Sequence, residues 1–145
     1  MKIKRFLTGS IVLMLTLVLN SCANAEKAEA VANEFYEKMQ KKEYTAIEKM
    51  LSDKMIKASS QETVLAFISQ KEELGELISF SKEEDGKVME IDNNQVVRFL
   101  YKTEYTSKNL YEYIRVVLTD EVYLIESYGY FDTKEKRDEF LQHAE

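Results

Sequence analysis

Hydrophobic and polar residues alternate along this chain in three successive regimes. The first is a continuous apolar run, Ile11-Val12-Leu13-Met14-Leu15-Thr16-Leu17-Val18-Leu19. In the second, apolar residues recur every three or four positions, the spacing of one face of a helix. In the third, from Leu77 onward, they recur every second position, as in a strand with two unlike faces.

The helical regime divides into three. Ala28, Val31, Ala32, Phe35, Tyr36 and Met39 form one stripe and predict a helix from about residue 26 to 42. A shorter helix is expected from Tyr44 to Met50 or Leu51, with Tyr44, Ile47, Met50 and Leu51 inward. A third runs from about Ser60 to Leu74, its stripe made by Val64, Leu65, Phe67 and Ile68. Ser59 and Glu62 have the spacing of a capping box at its start. Gly75 is placed to end it in a left-handed conformation.

Five strands follow. Leu77, Ile78 and Phe80 begin an edge-like strand, Asp85-Gly86 signals a tight turn, and Val88 to Ile91 is the next strand. Asp92-Asn93-Asn94 turns the chain into Val96–Tyr105. Thr106-Ser107-Lys108-Asn109 leads into Leu110–Thr119, and Asp120-Glu121 into Val122–Phe131. Long strands with short polar turns imply an antiparallel meander. Asp132 and Glu135 have capping spacing for a short last helix with Phe140 and Leu141 as its apolar contacts. Helices first and strands afterwards make an α+β domain of N-terminal helices packed on a curved antiparallel sheet. Phe35, Met39, Ile47, Phe67 and Ile68 are expected on its concave face.

The first apolar run has a different meaning. It is far shorter than the roughly 20 residues needed to cross a bilayer. Lys2, Lys4 and Arg5 precede it, and Asn20-Ser21-Cys22 follow, the order of a secretory signal peptide. Leu19-Asn20-Ser21-Cys22 resembles the lipobox of bacterial lipoproteins. The resemblance implies cleavage before Cys22 and acyl chains, palmitate among them, on its sulfur and on the new amino terminus. Ala23 in place of Asp after the cysteine implies, in a Gram-negative envelope, sorting to the outer membrane. The expected organisation is a signal peptide over 1–21, a lipidated tether over 22–26, and one α+β domain over 27–145. The expected location is the cell membrane or outer membrane, facing the periplasm or the exterior.

Charge and rare residues narrow the function classes. The formal charge is −6, and removing residues 1–21 takes away three cations and no acid. Such a body is repelled by nucleic acid phosphates and by anionic lipid headgroups, so the acyl chains must hold it to the membrane. Cys22 is the only cysteine, and its acylation leaves no thiol for a disulfide. The one histidine, His143, lies near the C-terminus. Metal and haem sites of the common kinds lack ligands, and neither a cofactor nor a metal is expected. The glycines at 9, 75, 86 and 129 are isolated and build no phosphate-cradling loop.

The order of elements resembles the cystatin-like superfamily, whose best-known branch is the nuclear transport factor 2-like cone. The resemblance rests on the long first helix, the break at Lys42-Glu43-Tyr44, a third helix, and the entry into the sheet at Gly75-Glu76-Leu77-Ile78-Ser79-Phe80. It implies a cone with a mouth that can hold a small ligand, and often a dimer through the sheet. Cone-fold enzymes use Asp, His or Tyr inside the pocket, and none of these matches here residue by residue.

Two sets of residues could carry chemistry. An acid in an apolar pocket gains affinity for its proton and suits acid–base work. Glu112 counts onto the face of Ile114, Val116 and Leu118, and Glu126 onto that of Leu124, Tyr128 and Tyr130. Glu104 counts outward. The plain alternative is a cross-strand partner for Arg98, Lys102 or Arg115. The second set is Tyr111, Tyr113, Tyr128 and Tyr130, whose apolar bodies and polar tips suit a binding face, though tyrosine also simply favours strands.

The expected function is therefore a non-enzymatic, membrane-anchored envelope module that binds a protein partner or serves a structural role. A small-ligand binder or acid–base enzyme using the cone pocket is the alternative, and homodimerisation through the sheet's open face a third reading.

Overall fold

The computed structural model describes residues 24–143. The leader, Cys22 and Ala23 lie outside the described residues. Within them, helix α1 occupies 24–40, followed by α2 (Tyr44–Glu48), α3 (Asp53–Ser59) and α4 (Gln61–Ser69). A 3₁₀ turn, Gln70–Leu74, leads into strands β1 (Leu77–Lys82), β2 (Lys87–Ile91), β3 (Asn94–Tyr105), β4 (Asn109–Thr119) and β5 (Val122–Phe131), and α5 (Lys134–His143) closes the chain.

The five strands form one antiparallel sheet, and the fold is α+β with the helical N-terminal half on the sheet. Strands β2 to β5 are the expected meander. β1 departs from it, since it pairs with β3 and not with β2. β1 takes the half of β3 around Tyr101–Tyr105 and β2 the half around Asn94–Arg98, so the two lie end to end along one edge. Gly86 between them therefore makes no hairpin. An added Cβ there would lie 2.4 Å from the Phe99 ring, so the glycine serves a close approach of loop to sheet.

The two tight hairpins are those at Asp92-Asn93 and Asp120-Glu121. Both centre residues of each have positive φ, from 50° to 66°, the pattern that matches strand twist in two-residue turns.

One face of the sheet carries the main core. Phe35 and Tyr36 of α1, Ile47 of α2 and Ile68 of α4 are fully buried against Val97, Phe99, Ile114, Val116 and Ile125. Aromatic rings tile the seam: Tyr36 lies 4.5 Å from Tyr101, and Phe35 5.1 Å from Tyr128, in the offset geometries that rings prefer. Four of the five expected contact residues are in this core. Phe67 is the exception, 39% exposed and stacked on Tyr130 at the rim.

The opposite face, expected to be open, is covered over part of its length. Leu141 of α5 packs on Leu100 and Tyr113 there, and Phe140 stacks on the Tyr113 ring.

Helix starts differ from the spacing rules by one residue. Ser60, not Ser59, caps α4 through the Thr63 amide, and Thr133 receives the Lys136 amide at the start of α5. Of the tether expected over 22–26, residues 24–26 are helical. Asn24 already belongs to α1, donates to Gln95 at 3.0 Å and accepts from Tyr123 at 2.9 Å. Gly75 has φ 90° and ψ −156°. That is not the left-handed helical region but its extended mirror, which is essentially glycine-only. An added Cβ would also meet Thr106 at 2.7 Å. Gly75→Ala is therefore expected to destabilise the fold by about 2–3 kcal/mol, read as a lower midpoint in urea unfolding with an unchanged slope.

Candidate functional site

The two expected acids, Glu112 and Glu126, lie in two places where polar groups collect among apolar ones. The first is in the core. Val64, Ile68 and Lys71 stand four and three residues apart, so the buried stripe of α4 continues into the 3₁₀ turn and ends on a lysine. Lys71 is 2% exposed and Glu112 fully buried. The Lys71 Nζ lies 3.3 and 3.4 Å from the two Glu112 carboxylate oxygens. Thr103 donates to the same carboxylate at 2.8 Å and Tyr128 at 2.7 Å. The ammonium also sits 4.4 Å from the Tyr128 ring centroid, with the Tyr105 and Tyr130 rings at 5.7 and 5.4 Å.

Burial lowers the Lys71 pKa from its ordinary 10.5 to about 8, although Glu112 opposes the shift. Burial, and then the Glu112 charge, hold the Tyr36 hydroxyl far above the ordinary tyrosine range. The carboxylate has three donors and the lysine is enclosed by rings, an arrangement in which a buried ion pair can persist.

The second place is the outer edge of β5. Ser52 caps α3 by accepting from the Met55 amide. Just before it, residues 50–52 form a short parallel bridge to Ile125, with Ser52 N to Ile125 O at 2.8 Å and Ile125 N to Met50 O at 2.7 Å. Next comes a bulge: Arg115 pairs with Ser127 but Val116 with Ile125, leaving Glu126 unmatched.

The bulge re-aims Glu126 toward α3. Lys54 bonds Glu126 at 2.9 Å and Asp92 at 2.8 Å, joining α3, β5 and the β2–β3 turn. Those two hydrogen bonds, to Asp92 and then Glu126, raise the Lys54 pKa.

Around this tie lie two adjoining cavities that share Lys54, Ala58 and Glu126. One of about 500 Å³ is walled by Met55, Val64, Phe67 and Tyr128. One of about 800 Å³ is walled by Val117, Val122 and Leu124, with Lys57 and Asp120 also lining it. Both fall within the range of ligand pockets, about 300–1,000 Å³.

The expected site residues are therefore scattered. Glu112 lies on the face expected for it, but it is sealed in the core with Lys71 as partner. Glu126 lines both cavities, beside Tyr128 in the smaller and Leu124 in the larger, but the bulge shifts the alternation by one and puts Leu124 on the sheet face opposite Tyr128 and Tyr130. Tyr128 and Tyr130 share the core face with Glu112, whereas Tyr111 and Tyr113 are on the opposite one. The four do not form one surface, and Tyr113 and Tyr128 are buried. Glu104 is exposed, as counted, and accepts from Ser79 at 3.0 Å.

Sequence reasoning missed Lys71, although its place at the end of the Val64–Ile68 stripe was a readable signal. It also missed α3, Lys54 and the groove they build. Among the described residues no helix is long and apolar enough to cross a membrane. No protein-family model matches the chain, and no curated protein matches it in sequence.

Proposed function

We propose that the chain is a lipid-anchored binding module of the cell envelope, held to the bilayer through Cys22 and binding through the groove between α3–α4 and the β5 edge. The observation that carries this reading is the groove itself. It is large, mostly apolar, and carries the paired Lys54 and Glu126 on its wall. Such a combination orients a ligand without needing to transform it.

A binding role is favoured over acid–base chemistry by how the two candidate acids are used. Glu112 is surrounded by donors within the core, and Glu126 is paired with Lys54. The lipobox-like Leu19-Asn20-Ser21-Cys22 supports the anchor, and two or more acyl chains on one cysteine would satisfy the need for more than one chain in stable attachment.

The groove is tested by photocrosslinking in intact cells. A photoreactive residue at Ala58 or Thr63, both on groove walls, is expected to give an adduct. The same residue at exposed Ile78, which lies off the groove, is expected to give none. Equal labelling from all three, or none from the groove, would contradict the reading.

A further inference from the structure

The groove and the anchor converge on one end of the sheet. Cys22 precedes Asn24 by two residues, a reach of at most about 7 Å. Asn24 is fixed to Gln95 and Tyr123. The residues preceding those partners in their strands, Asn94 and Val122, line the larger cavity at the same end but from the other face of the sheet. β3 runs away from this end for 12 residues, about 35–40 Å at the strand rise, so Tyr105 and its neighbour Leu77 are at the far end. An acylated Cys22 would thus bring a bilayer to the cavity that Val117, Val122 and Leu124 wall. Val122 is 54% exposed where it lines the cavity.

The charges at this end select among lipids. Asp92, Asp120 and Glu121 occupy the two turns, and such acids are repelled by an anionic leaflet. The rim has both signs, Lys57 against Asp53 and Asp120, which complements a phosphate and an amine together.

Resting on the anchored reading above, we propose that the 800 Å³ cavity takes one acyl chain of a phospholipid with a zwitterionic headgroup, drawn from the membrane to which the protein is tethered. The chain lies along Val117, Val122 and Leu124, the phosphate meets Lys57, and the amine meets Asp53 or Asp120. The anchor thereby holds the protein at its ligand's source by the end of the sheet where the cavity lies.

The chain contains no tryptophan, so single-tryptophan variants report their own positions. The full lipidated chain is placed in phosphatidylcholine vesicles containing phosphatidylethanolamine whose acyl chains are brominated, a contact quencher of indole. Ala58→Trp and Thr119→Trp sit on opposite walls of the cavity, both at exposed positions. Glu90→Trp sits at the same end but off the cavity, and Ile78→Trp at the far end.

Emission from the two wall reporters is expected to fall about twofold, as for a chain mostly enclosed by its pocket. Glu90→Trp should fall less and Ile78→Trp stay unchanged. Brominated phosphatidylglycerol should quench the wall reporters less than phosphatidylethanolamine does.

Wall reporters no more quenched than Glu90→Trp, on protein that floats with the vesicles, would overturn the lipid ligand while leaving the anchor intact. Equal quenching by the two headgroups would overturn the zwitterionic preference. Protein that does not float with the vesicles would overturn the anchored reading and this proposal with it.

Discussion

Lys71→Met is expected to destabilise the protein by about 3–5 kcal/mol, because it leaves the Glu112 carboxylate buried without its cation. That is a large part of the total of about 5–15 kcal/mol available to a domain, and it lowers Tm by roughly 15 °C. The double variant Lys71→Met with Glu112→Leu is expected to recover most of the loss, since removing both charges also removes both desolvation penalties. A merely steric role for Lys71 would leave the double variant as unstable as the single one.

The pair also has a pH signature. Folding lowers the Lys71 pKa from 10.5 to about 8. Between those values the unfolded chain keeps a proton that the folded chain has released, so this group makes stability rise with pH across the window. Below pH 8 both states hold the proton and the contribution is constant. The buried tyrosines act in the opposite sense, because burial raises the pKa values of Tyr36, Tyr101 and Tyr105. Above about pH 10 the unfolded state loses their protons first and stability falls. Wild type is therefore expected to gain on the double variant from pH 8 to 10, a difference in which the shared tyrosines largely cancel. Urea titrations of both proteins at pH 7, 8.5 and 10 measure it.

Cys22→Ser is expected to move the protein from the membrane fraction to the soluble fraction without changing its fold. Serine offers no sulfur for a thioether-linked lipid, and a single acyl chain binds a bilayer only marginally. The acidic surface does not compensate: with residues 1–21 removed, the charge is more negative than the −6 of the whole chain, and anionic headgroups repel it. Fractionation in high salt and in carbonate separates the two explanations. Lipid attachment survives both, whereas electrostatic adsorption is lost in salt. A Cys22→Ser protein that stays in the membrane pellet would contradict the anchor.

Much of the fold was legible because its periods are clean. The stripe from Ala28 to Met39 gave α1 within two residues at each end, and the turns at Asp92-Asn93 and Asp120-Glu121 placed the four strands of two hairpins. The rest was hidden for physical reasons. α3 buries none of its residues fully, so it has no apolar stripe to read and depends on its Ser52 cap and its neighbours. The pairing of β1 with β3 is a choice of partner that alternation does not encode. The bulge at Glu126 inserts one residue and inverts the face assignment of Leu124 and Ile125 relative to Tyr128, which a strict count of two cannot foresee.

The candidate site was less legible than the fold because α3 and the bulge build it. Glu112 was singled out on the right face, yet its partner Lys71 came from a segment read as an ordinary helix end. The tyrosines looked like one surface because strand residues close in sequence were taken together, while the sheet divides them between two layers.

The central claim is that lipid on one sulfur holds this body at the bilayer that its groove faces. Mass spectrometry of the amino-terminal peptide of the protein isolated from membranes tests it most directly. The account predicts a chain beginning at Cys22 and bearing a diacylglyceryl thioether with a further acyl group or a free amine. A chain that begins elsewhere, or a Cys22 with an unmodified thiol, would contradict it.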